Sequence, residues 1–255
     1  MNLSFLLCFI LFSSCSSTRL ISSDLPSIEK FNYFDPSGTY LLTKEIKREN
    51  TKLISRTQLT SMVKGKKNLV EKSVTLSQLG SLQGKKTRVM TLKPLASEFS
   101  VWLEGQKYTS VGETSEKEKA YNLRMDSPEI KWKGQKKILF PQGKFFCFYS
   151  QLWECLYSLQ RFQVLSDLPE SSFEFYLIWD NYPYLQDQLT DVGYEMFTKA
   201  TLKYEETINN ELKYAVEVDG QLINFFLNTQ FRMKKMVWVA QGITILALDV
   251  KLDQD

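Results

Sequence analysis

The chemistry open to this chain is limited first by a residue type that it lacks. Its 255 residues include no histidine, which excludes Ser-His-Asp and Cys-His catalysis, histidine general bases and the usual zinc sites. Aspartate and glutamate are plentiful, but no spacing singles out an acid and base pair, and Gly65-Lys66-Lys67 lacks the flanking glycine of a phosphate-binding loop. We expect no enzyme activity, no metal and no cofactor, with a two-carboxylate hydrolase as the remaining catalytic alternative.

Two of the four cysteines, Cys147 and Cys155, lie close together in the sequence. In an oxidising compartment such a pair could form a disulfide that closes a small loop. On one regular helix, however, their Cα atoms would be about 12 Å apart, beyond the roughly 7 Å that a disulfide allows. A bridge therefore requires a bend between them, and two buried free thiols are the alternative.

The other two cysteines belong to an N-terminal segment that has the pattern of a signal peptide. Residues 3–12 are apolar apart from one serine and end in Ser13-Ser14-Cys15. This run is too short for a membrane span, which needs roughly 20 residues. Small residues ahead of a cysteine resemble the lipobox of bacterial lipoproteins, with Phe12 where that family more often has leucine. The resemblance implies cleavage before Cys15 and lipid attached to it; an ordinary secretory signal or a buried strand are the alternatives.

The same resemblance implies a cellular location. Two or three acyl chains on Cys15 would anchor the protein firmly, unlike a single chain. Ser16 follows rather than aspartate, which under the enteric sorting rule favours the outer membrane, facing the periplasm or the surface. No later run reaches the roughly 18 apolar residues typical of a membrane helix. We therefore expect a cell-envelope protein that meets the membrane through its lipid and has no nucleic-acid partner.

Composition divides the chain into three parts. Residues 1–14 are the signal peptide, residues 15–37 are the lipidated cysteine with a Ser-rich flexible tether, and residues 38–255 form a single β-rich globular domain. A hydrophobic content of 43% with 13% aromatic residues is ample for a packed core. Aromatic residues cluster at 145–157 and 173–184, where they could line an apolar pocket or pack in the core.

Alternating apolar and polar residues predict antiparallel strands, of which the clearest pair flanks Asp219-Gly220. Asp-Gly favours a two-residue type I′ turn, which sets Val218 opposite Gln221 and Tyr214 opposite Phe225. A spacing of three and four predicts helices over 148–162 and 185–196. The remaining strands are expected at 39–47, 53–63, 69–79, 88–92 and 98–103, and again from 198–204 onward through Val250, with a turn or bulge at Gly242.

These elements predict a mainly β fold of the α+β kind: an antiparallel, strongly curved sheet or half-barrel with one or two helices packed on it. A lipidated cysteine, a Ser-rich tether and long antiparallel strands resemble the half-barrel carriers of the LolA and LolB type. That family holds acyl chains between a curved sheet and covering helices. The resemblance implies that the domain binds a lipid or another apolar ligand.

Charge is unevenly distributed along the chain. Residues 43–93 hold 13 Lys and Arg against 3 Asp and Glu, whereas residues 145–255 hold 8 against 16. The basic stretch could contact anionic lipid or an acidic partner, could solvate exposed strands and protect sheet edges, or could complement the acidic half. The candidate contacts are Lys64, Lys66, Lys67, Lys85, Lys86 and Arg88.

Three functions follow from these features, and each predicts a different interior. A non-enzymatic carrier of an apolar ligand or lipid requires an apolar cavity inside the sheet. A structural or adaptor lipoprotein that binds another envelope protein has a filled core and an exposed apolar patch. A carboxylate hydrolase requires two carboxylates that converge in a cleft.

Overall fold

The computed structural model describes residues 28–63, 66–83, 88–184, 189, 193 and 195–248. These residues form one curved, unclosed 15-stranded sheet with two short α-helices, as the sequence predicted. All neighbouring strands are antiparallel except one parallel pair at an edge of the sheet. Within the described chain, no helix has both the length and the apolar composition to cross a membrane.

The sheet consists of two meanders, which we call the N-terminal and C-terminal wings. The N-terminal wing contains β1 (Ile28–Phe34), β2 (Tyr40–Glu49), β3 (Lys52–Val63), β4 (Lys66–Gln83), β5 (Arg88–Leu103), β6 (Gln106–Ser115), β7 (Ala120–Asp126) and β8 (Gly134–Leu139). The C-terminal wing contains β9 (Phe146–Phe148), β10 (Ser172–Ile178), β11 (Phe197–Ile208), β12 (Glu211–Val218), β13 (Gln221–Leu227), β14 (Met233–Trp238) and β15 (Ile243–Ala247).

The two wings meet through the first and last strands of the sheet. Tyr33 pairs with Ala247 and Phe34 with Leu246, so that β1 and β15 are neighbours. From this seam the order runs β1 to β8 on one side and β15 to β9 on the other. The two edges of the sheet are therefore β8 and β9.

The helices connect β9 to β10. The chain leaves β9 through a 3-10 turn, forms α1 (Leu152–Ser158), and continues into α2 (Arg161–Asp167). The sequence predicted one helix over 148–162; the structure has two, because Gln160 between them adopts a left-handed φ of 58°. Of the second predicted helix, most residues lie outside the described chain, and the described positions 189, 193 and 196 are not helical.

The strands predicted at 39–47, 53–63, 69–79 and 198–204 correspond to β2, β3, β4 and β11, whereas no strand was predicted at β6, β7, β8, β9 or β10. The hairpin at Asp219-Gly220 has the predicted register, with Val218 opposite Gln221 and Tyr214 opposite Phe225. The two runs 88–92 and 98–103 belong to the single strand β5. The tether was expected to extend to residue 37, but the structure places residues 28–34 in β1, at the centre of the sheet, where Tyr33 is buried.

Candidate functional site

The concave side of the sheet is occupied by the protein's own side chains. Helices α1 and α2 lie against it, and Cys155, Leu156 and Phe162 are fully buried there. The aromatic clusters noted in the sequence contribute to this core: the rings of Tyr149 and Trp179, one from each cluster, have centroids 4.9 Å apart. The concave face is thus a packed core in the described part of the chain.

The outer strands of the two wings also pack on each other. A second buried cluster joins Tyr121 and Leu123 of β7 to Phe148 of β9, Ile178 of β10 and Phe197 of β11. Because these strands come from opposite sides of the sheet, the cluster holds the curved sheet folded over the helices.

A polar layer centred on Asp180 lies within this interior. Asp180 is 1% exposed, and its carboxylate accepts hydrogen bonds from Ser73 Oγ at 2.7 Å and from Ser150 Oγ at 2.6 Å. The backbone N–H of Ser150 donates to the second carboxylate oxygen at 3.0 Å. Ser73 lies on β4 and Ser150 in the 3-10 turn before α1, so these bonds fasten the C-terminal wing to the N-terminal wing.

The electrostatics of this layer raise the pKa values of two carboxyl groups. Burial raises the pKa of Asp180, while its hydrogen bonds from Ser150 and Ser73 act in the opposite direction. Burial and the nearby Asp180 carboxylate raise the pKa of Glu71 to about 8. These two carboxyl groups do not form the open acid and base pair of a hydrolase, because Asp180 is enclosed.

A buried ion pair attaches α1 to the sheet. Lys44 Nζ of β2 lies 2.5 Å from Glu154 Oε1 of α1, and the two side chains are 9% and 2% exposed. Beside this pair, Arg232 bonds to Glu29 with both of its terminal nitrogens. The small cavity between them has a volume of about 20 Å³, which is room for about one water molecule.

The larger cavities are surface depressions on the N-terminal wing. One of about 470 Å³ lies where β8 ends and is lined in part by Pro94, Phe140, Pro141 and Phe146. Two others, of about 440 and 490 Å³, lie along the outer face of β6, β7 and β8. Neither Asp180 nor Glu71 belongs to the walls of these cavities.

An apolar row crosses the convex face of the sheet. Four successive pairings, from β4 to β15, set Leu69 opposite Thr60, Thr60 opposite Leu41, Leu41 opposite Phe34, and Phe34 opposite Leu246. The side chains at the two ends of this row are partly exposed, Leu69 by 38% and Leu246 by 37%. We call these five residues the outer apolar row.

The candidate residues that the structure describes do not form one site. Cys147 and Cys155 are joined by a disulfide with Cα atoms 5.7 Å apart, and the required bend is the change from β9 through the 3-10 turn into α1. Lys66 begins β4, and Arg88 begins the neighbouring antiparallel strand β5 opposite Gln83, the last residue of β4. The two residues therefore lie at opposite ends of this long strand pair. Lys67 lies beside Lys66; Cys15, Lys64, Lys85 and Lys86 lie outside the described residues.

Two features of the structure were not predicted from the sequence. Asp180 was not singled out, because its partner Ser73 is 107 positions away. The lysines near β8 were not singled out either, although residues 131–144 contain five lysines and no acidic residue. This cluster of lysines is visible in the sequence, but it does not show that β8 is an edge strand of the sheet.

Comparisons with protein-family models, with curated proteins and with solved structures find no match to this chain. Among the described residues, no group of three cysteine, aspartate or glutamate side chains could hold a metal ion. The function therefore has to be argued from the fold and from the surfaces described above.

Proposed function

We propose that this chain is a non-enzymatic envelope lipoprotein, anchored through lipid on Cys15, whose domain binds another envelope protein with its outer surface. The observation that carries the proposal is the packed concave face. An adaptor needs a stable core and a surface available for contact; the packed concave face supports the first requirement, and the outer apolar row supports the second.

The packed interior gives less support to a carrier. Sites for apolar ligands are usually concave cavities of about 300–1,000 Å³ lined mostly by apolar groups. The cavity beside α1 is far smaller, at about 20 Å³. In a half-barrel carrier the ligand would lie between the sheet and the covering helices. Here that space is filled by core side chains, such as Trp153 of α1 and Phe162 of α2.

The outer apolar row supports contact with a protein. Single exposed apolar residues are ordinary, but a contiguous group on one face often marks an interaction surface. Here Leu69, Leu41, Phe34 and Leu246 lie in one row across the sheet, with Thr60 of β3 between Leu69 and Leu41. Leu248, which is 49% exposed, follows directly after β15.

Site-specific photo-cross-linking in cells tests the proposal. The intact lipoprotein would carry a photoreactive amino acid in place of Thr60, in the outer apolar row, or of Gln135, on β8. We expect a discrete protein adduct from at least one position. If neither position gives a protein adduct while lipid remains bound to the purified domain, the adaptor function is wrong and the carrier is supported.

A further inference from the structure

The two edges of the sheet differ in how well they are protected. Edge strands expose unpaired backbone groups, and proteins normally cover or shorten them. β9 has three residues, of which Cys147 and Phe148 are buried. β8 has six residues, five of them exposed, and in the described chain it pairs with β7 alone. β8 therefore offers N–H and C=O groups to which a further strand could bond.

The charge on β8 favours an acidic strand. Lys136 and Lys137 occupy its middle and point to opposite faces, because side chains alternate along a strand. Lys136 Nζ donates a hydrogen bond to Tyr182 Oη at 2.8 Å. Lys137 is paired with Glu118 at 2.7 Å, but both side chains are about half exposed, at 50% and 43%, so the ion pair is weak. A partner strand with aspartate or glutamate opposite these positions would gain favourable cross-strand pairs on both faces.

The same lysines oppose pairing between two copies of this chain. In an antiparallel arrangement centred on Lys136 or Lys137, a lysine of one copy lies opposite a lysine of the other. Like charges directly opposite each other destabilise a strand pair. In these registers the lysines disfavour pairing between two copies of this chain, whereas they favour an acidic partner strand.

Apolar groups lie at both ends of β8. Ile130, shortly before the strand, is 90% exposed, and Leu139, its last residue, is 68% exposed. Beyond Leu139, Phe140 and Phe146 line the cavity of about 470 Å³. An added strand would thus lie beside lysines at the centre of β8 and contact apolar side chains near its ends.

We infer that the free edge of β8 binds an extended, acidic segment of another protein by strand addition. This inference rests on the proposed adaptor function and names the surface and the chemistry of its partner. Main-chain bonds to β8 supply a general part of the affinity, and the lysines select the sequence.

The test uses the intact lipoprotein in cells, with the photoreactive residue at Gln135 and the cross-linked peptide sequenced. The expected adduct contains a segment rich in aspartate and glutamate. Reversing both charges, with Lys136→Glu and Lys137→Glu, should lower the adduct yield by about 10-fold or more. The matched control Lys52→Glu changes an exposed lysine on β3, a strand paired on both sides, and should leave the yield unchanged.

The outcomes separate this inference from the proposed function. An adduct of two copies of this chain, an adduct with a peptide that is not acidic, or an adduct insensitive to the double reversal would overturn strand addition by an acidic segment. An adduct from Thr60 but none from Gln135 would overturn it as well and leave the adaptor function standing. Unchanged thermal unfolding of the double variant would show that its loss of adduct is not a loss of fold.

Discussion

Asp180 shows how a single polar residue can organise the interior of a β-sheet protein. Its carboxylate is enclosed and accepts bonds from both wings, through Ser73 and Ser150. Leaving such a group without partners would be costly, because a buried polar group must replace its bonds to water. Asp180 therefore specifies how the two wings are joined, in addition to any contribution to stability.

The Glu71 carboxyl group should make folding stability depend on pH. Its pKa is about 8 in the folded protein against an ordinary value of 4.5, so between these values the folded state holds a proton that the unfolded state has lost. Stability should then fall as the pH rises from about 5 to about 8. The raised pKa of Asp180 acts in the same direction.

Urea unfolding at several pH values measures this dependence. Glu71→Gln, which cannot ionise, should flatten the decline and make the variant relatively more stable near pH 8. Glu98→Gln, on the exposed side of β5, is the matched control and should keep the wild-type profile. A Glu71→Gln variant with an unchanged slope would show that another group is responsible.

The role of a residue could be predicted from the sequence only where its partner lies close to it along the chain. The possible bridge between Cys147 and Cys155 was evident from their spacing, including the need for a bend. The roles of Asp180 and Glu71 depend on contacts between distant strands, so no short motif reports them. Burial that raises a pKa is a property of the folded chain.

At the level of elements, hairpins were predictable and long-range order was not. The Asp219-Gly220 turn fixed the pairing of β12 with β13 because turn geometry and side-chain alternation agreed. The neighbour relation of β1 and β15 joins residues more than 200 positions apart, and no local pattern indicates it. For the same reason the exposed edge at β8 could not be located.

The ion pair between Lys44 of β2 and Glu154 of α1 should be important for holding α1 on the sheet. Glu154→Ala leaves a buried lysine charge without a partner, and we expect a loss of about 3–5 kcal/mol in the free energy of unfolding. Replacing both residues by methionine should cost clearly less, because no charge is then left buried. Chemical denaturation of the two variants makes the comparison, and equal losses would contradict a charge-based role.

On the scale of the whole molecule, the uneven charge of the sequence follows the two wings. The basic stretch 43–93 covers β2 to part of β5, and the acidic stretch 145–255 covers the C-terminal wing. One buried ion pair, between Lys44 and Glu154, joins the basic stretch to the acidic stretch inside the fold. Much of the remaining charge lies on exposed strands, where it can select partners.

The curved sheet was predicted correctly. The possible functions differ in what occupies its concave face. A half-barrel that carried lipid and one that served as an adaptor would share the same strand pattern. What separates them is whether the concave face is empty or filled, and that depends on where α1 and α2 lie. Their position on the sheet could not be read from helical spacing alone.

Native mass spectrometry tests this central point most directly. The chain from residue 16 onward would be secreted without its lipid, purified without detergent and measured intact. A packed concave face predicts the mass of the disulfide-bonded polypeptide alone. A lipid or other apolar molecule bound in a stoichiometric amount would contradict the account and show that the sheet opens to hold a ligand.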